Sequence, residues 1–108
     1  MPGGSVNQLT SKSTAVTLNK LCGQITTSAE NMVGAGYAIF LVNNTTVVAT
    51  DTINLSLSSV SSSVPGNYRH FICGVSAGSF GILVENRLST ALAETLVFNF
   101  AVVKAVNA

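Results

Sequence analysis

Charge is what this chain has least of. Asp, Glu, Lys and Arg make up only 8% of its 108 residues, about a third of the share in an ordinary soluble domain. The basic residues Lys12, Lys20, Arg69, Arg87 and Lys104 are scattered and the formal net charge is +1. No stripe of cations is available to follow a phosphate backbone, so nucleic acid is not an expected partner. The four acids Glu30, Asp51, Glu85 and Glu94 never fall close together in sequence, which leaves no evident carboxylate pair for acid–base chemistry. Asp51, after "VVAT", reads as a turn-capping residue.

Other absences narrow the field further. There is no Trp and one His, His70, which has no Cys or His at metal-ligand spacing; it reads as a structural histidine. The two cysteines, Cys22 and Cys73, lack CxxC spacing and each precedes a Gly inside an apparent strand. They are expected to be buried free thiols. Asn43, Asn44 and Asn99 interrupt the best apolar runs, so no membrane span is expected. The start "MPGGSVNQ" has no basic segment leading into an apolar one, so no secretory signal is expected and the sequons at Asn43, Asn44 and Asn54 carry no weight. Serines are plentiful without GxSxG, and "GAG" at 34–36 has neither a following Lys nor a βαβ setting. The expectation is no catalytic residue, no cofactor, no metal and no small-molecule substrate.

What the chain does have is period-2 alternation. Hydrophobic residues reach 47%, and Ser, Thr and Asn take the place of the missing charges, which separates it from charge-rich disordered chains. In 51–59, Ile53, Leu55 and Leu57 alternate with Asn54, Ser56 and Ser58. Similar strands are expected at 14–19, 24–27, 67–75, 80–86 and 95–104, with 46–49 as a possible eighth. In 67–75, Arg69, Phe71, Cys73 and Val75 are expected on one side, opposite Tyr68, His70 and Ile72. The run "GYAIFLVNN" at 36–44 is continuously apolar and reads as a strand covered on both faces. Two stretches, 28–34 and 89–95, look like short helices. Turn signals such as "SSVSSSVPG" and "SAGS" separate the strands. The expected fold is all-β: one sandwich, jelly-roll-like, of about seven to eight strands over 14–108. An extended Gly/Ser-rich arm over 1–13, with isolated Val6 and Leu9, is expected to precede it.

The closing strand sorts its side chains into two sets. Leu96, Phe98, Phe100 and Val102 are large enough for a sandwich core, while Val97, Asn99, Ala101 and Val103 suit contact with another subunit. With Val6 and Leu9 of the arm, the second set is the expected interface.

Three segments carry a resemblance: "GGSVNQLTSKSTAVTLNKLCGQIT" at 3–26, "VSAGSFGILVENRL" at 75–88 and "LAETLVFNFAVVKA" at 92–105. Together they are similar to a small β-rich module of structural proteins in tailed bacteriophages and prophages. The matching elements are residues 10–20, 23–26, 75–79, Asn86 and 99–105. The chain departs from that pattern after "GQIT", where "TSAENMVGAGY" replaces an Ala-rich helical stretch. The resemblance implies a virion structural protein, bound to the major capsid protein and to copies of itself, with no catalytic motif to carry over. The sequence shows neither an attachment segment nor a shaft, which favours a capsid decoration (cement) protein in the virion, assembled in the bacterial host cytoplasm. A tail-fibre or spike tip is the alternative, with Asn67, Tyr68, Arg69 and His70 as loop residues for host recognition. A carbohydrate-active sandwich would instead need two of the four acids to converge.

Overall fold

The computed structural model describes residues 3–61 and 65–104. Residues 1–2 of the leader, 62–64 of the serine run and 105–108 after the last strand lie outside the described residues.

The described residues form eight strands: β1 (Gly3–Asn7), β2 (Val16–Thr17), β3 (Cys22–Thr26), β4 (Tyr37–Asn43), β5 (Thr52–Val60), β6 (Tyr68–Ser76), β7 (Ser79–Asn86) and β8 (Leu96–Val103). One short 3₁₀ turn, Pro65–Asn67, leads into β6. They make two four-stranded sheets, ordered β1-β3-β8-β5 and β2-β4-β7-β6. The chain crosses between the sheets at every connection except the β6–β7 hairpin, whose turn holds Gly78 at φ 88°, a left-handed conformation that favours glycine. Two edge pairings, β1 with β3 and β2 with β4, are parallel. Two packed sheets are what the jelly-roll-like expectation shares with the structure; the strand order is set by these pairings.

Inward side chains from both sheets make one core. Ile25, Leu96, Phe98 and Phe100 come from the first sheet, and Phe40, Val42, Phe80, Ile82 and Val84 from the second; all are buried. Each such side chain contributes about 1.5–3 kcal/mol when removed from water. Aromatic rings cross the gap. Phe80 meets Phe100 at 5.4 Å between centroids, and His70 meets Phe98 edge-on at the same separation. His70 is thus a core-facing residue on β6, and burial holds its pKa below the ordinary value.

Several sequence-based expectations are corrected. The leader does not stand away as an arm throughout, because Gly3–Asn7 lies in the first sheet along β3. The eighth strand is this segment, not 46–49, which turns because Asn44 accepts at Oδ1 from the Thr46 N–H and hydroxyl. Neither 28–34 nor 89–95 is helical. The two segments pair with each other instead, Met32 N–H donating to the Leu92 carbonyl (2.7 Å) and Leu92 N–H to that of Met32 (2.9 Å). Helices of two turns have little stability of their own, and Asn86 supplies the alternative. Its fully buried Nδ2 donates to the carbonyls of Met32, Val33 and Thr90.

The thiols are not buried: Cys22 is half-buried and Cys73 exposed, both free. A bulge in β6 between Ile72 and Gly74 adds one residue and inverts the alternation beyond it. Val75 therefore turns toward the core with Ile72 instead of outward with Cys73. Finally, β4 is covered on one face only.

Candidate functional site

The uncovered face of β4 is where the molecule departs most from an ordinary surface. Ala38, Phe40 and Val42 point inward, so Tyr37, Ile39 and Leu41 point out, and they are 66%, 42% and 50% exposed. Next to them on β7 stand Glu85, Leu83 and Gly81, and beyond these on β6 Arg69, Phe71 and the bulge. The register makes the face a stack of rows. Ile39, Leu83 and Phe71 lie in one row, Tyr37, Glu85 and Arg69 in the next. At the other end Asn43, Ser79 and Ser76 close the face with polar side chains. Arg69 Nε and Glu85 Oε1 are 3.1 Å apart, so the charged row is neutral in sum. A Cβ on Gly81 would press on Cys73 Sγ. The glycine thus leaves a shallow hollow of about 130 Å³ between Leu41 and Cys73.

The first sheet presents the opposite character. Outward from β8 stand Val97, Asn99, Ala101 and Val103, with Asn99 exposed and Val103 47% exposed. Their neighbours are Gln24 and Thr26 on β3, and Asn54 and Ser56 on β5. Gln24 Nε2 donates to Asn99 Oδ1 (3.2 Å). The face is a neutral amide and hydroxyl ladder. Of the expected interface residues, the four of β8 share this face. Leu9 is exposed in the loop after β1, while Val6 packs against the core. These six are not brought into one patch.

A buried polar cluster ties the leader down. Lys12 is 1% exposed, and its ammonium donates to three carbonyls, those of Ser28 (2.7 Å), Glu30 (2.8 Å) and Glu94 (2.7 Å). Its own N–H donates to Glu30 Oε1 (2.9 Å). Burial lowers the Lys12 pKa, and the carboxylates of Glu30 and Glu94 oppose that shift. Tyr68 donates to Glu94 Oε1 (2.5 Å). Burial pushes the phenol well above its ordinary range, with the Glu94 hydrogen bond and charge acting in the same direction. The cluster therefore brings Glu30 and Glu94 to the same ammonium, a proximity the sequence did not show, but each carboxylate is engaged in holding chain segments together. Asp51, fully buried in its side chain, accepts from the Val48 N–H and pairs with Lys104 at 2.6 Å, in keeping with a turn-capping role. Among the described residues no three His, Cys, Asp or Glu side chains group as metal ligands.

In comparison with known proteins, no family model, no curated protein and no solved structure matches this chain. Tyr68 and His70, proposed above as exposed loop residues for recognition, instead stand on β6 facing inward, Tyr68 buried and His70 half-buried. Sequence reasoning missed the apolar face because a run such as "YAIFLV" does not say whether its second side is covered. It missed Lys12 because the three carbonyls belong to segments 16, 18 and 82 residues away.

Proposed function

We propose that this chain is a structural protein of a tailed-phage virion, a decoration protein that holds the head shell together by non-covalent contacts with the major capsid protein and with copies of itself. The observation that carries the reading is the outward face of β4, β7 and β6, an apolar row of Ile39, Leu83 and Phe71 on a molecule with very few charges. Large exposed apolar patches mark binding surfaces, and a weakly charged chain has little electrostatic defence against association. The resemblance of residues 10–20, 75–79 and 99–105 to the phage module supplies the setting. The proposed mechanism is mass action: a protein that binds the assembled shell and not its separated subunits stabilises the shell, and many linked weak contacts add avidity. Glu30, Asp51 and Glu94 accept hydrogen bonds that tie chain segments together, which leaves the outward apolar face as the feature this reading rests on.

The test is the copy number of this chain against the major capsid protein in purified particles, by quantitative mass spectrometry. Near-parity is expected. A number so low that it fits only a tail or a single vertex would overturn the reading.

A further inference from the structure

We propose that the outward face of β4, β7 and β6 binds a second copy of this chain, face to face, about a two-fold axis running along β7. The inference deepens the self-association part of the reading above and does not depend on the shell. Register carries it. Ile39 on β4 and Phe71 on β6 both stand beside Leu83 of β7, and Tyr37 and Arg69 both stand beside Glu85. An axis along β7 exchanges the two flanks. Ile39 then meets the second copy's Phe71, Leu83 meets Leu83, and the Tyr37 ring meets the second copy's Arg69. An isologous interface requires this self-complementarity of one patch. An unrelated partner does not.

Charge and area agree with that occupant. Arg69 and Glu85 neutralise each other within one copy, 3.1 Å apart, so two such faces approach without net repulsion. The exchanged row places each guanidinium over a tyrosine ring, a favourable cation–π arrangement. The same axis sets Glu85 opposite the second copy's Glu85, and each carboxylate keeps its own Arg69 beside it as the neutralising charge. Tyr37, Ile39, Leu41 and Phe71 keep 42–66% of their surface. With an aromatic side chain offering about 200 Å², the four leave on the order of 400 Å² of apolar surface. That is about half of the roughly 800 Å² per partner in a standard interface. The polar ends of the sheet, Asn43, Ser79 and Ser76 at one and Glu85 and Arg69 at the other, supply a rim. Two sheets stacked about 10 Å apart complete a four-layer sandwich.

Light scattering coupled to size exclusion, on the full chain over a range of concentrations, tests this. Wild type and a control on the other sheet, Asn99→Glu, are expected at the mass of two chains, and Leu83→Glu at the mass of one. Circular dichroism and thermal melting establish that the variants are folded. Arg69→Glu should weaken the dimer at least about tenfold through like charge at the contact, and Arg69→Glu with Glu85→Arg should restore it. A wild type that is monomeric throughout, a trimer, a dimer that survives in folded Leu83→Glu, or no recovery in the charge exchange would overturn the proposal. A monomer that still binds shells would sink this inference alone; a dimer absent from particles would sink the shell reading alone.

Discussion

Lys12 is the residue on which the leader depends. Its ammonium is enclosed by the carbonyls of Ser28, Glu30 and Glu94, and Thr10, two positions earlier, is held at φ 68°, a strained conformation for a β-branched residue. Lys12→Met keeps the length and removes the donors, leaving buried carbonyls without their partner. Urea denaturation should show a loss of about 3 kcal/mol; an unchanged midpoint would mean that the lysine is not the tie. Tyr68 gives a separate reading of the same cluster. Tyr68→Phe removes the donor to Glu94 Oε1 and should cost about 2 kcal/mol near neutral pH. The pH dependence has a definite sign. Because the folded-state pKa of Tyr68 is raised, the unfolded phenol ionises above 10.0 while the folded one stays protonated, so its contribution is lost as pH rises beyond that value. Lys12, lowered by burial from 10.5, contributes in the opposite sense, gaining stability as pH rises toward that value. The difference between wild type and Tyr68→Phe isolates the tyrosine, and should grow smaller above 10.0; a constant difference would contradict it.

Segments 28–36 and 87–95 decide how the two sheets are joined at one end. Gly34 packs against the backbone of Ser89 so closely that a Cβ has no room beside the Ser89 carbonyl. Gly34→Ala should therefore cost about 2 kcal/mol by overpacking, measured as a fall in the urea midpoint. A helix in this stretch would give the reverse sign, since Ala in a helix interior is favoured over Gly by about 1 kcal/mol. What was legible here follows from range. Strands such as Thr52–Val60, whose Ile53, Leu55 and Leu57 alternate with polar residues, announce themselves locally because a side chain's face is fixed by its position in the pleat. Gly3–Asn7 gave no such signal, with only Val6 apolar, and becomes a strand by pairing with Cys22–Thr26. The bulge beyond Ile72 is a matter of how β6 pairs with β7, so the inward turn of Val75 could not be read from alternation. The two supposed helices were decided by Asn86, more than fifty residues after Met32. The outward sets of β8 were legible residue by residue. The apolar set of β4 was not, because a continuous apolar run leaves open which side the chain itself covers.

At the scale of the whole molecule, the two outer faces divide the work. The first sheet shows a neutral polar ladder around Gln24 and Asn99, and the second an apolar row bounded by a self-neutralising ion pair. Association through such a face rests on removing apolar surface from water more than on charge. Raising salt should therefore leave the dimer intact, and sulfate should strengthen it; dissociation by moderate salt in size exclusion would show that charge dominates. The proposed stabilisation of a phage shell is tested most directly by heat. Particles carrying this chain, particles stripped of it, and stripped particles given back the purified protein are compared by the temperature at which they release their contents. The expected result is a fall on stripping and a saturable, concentration-dependent recovery on return, as mass action requires. Stripped particles that withstand heating as well as intact ones, or that fail to respond to the returned protein, would contradict it.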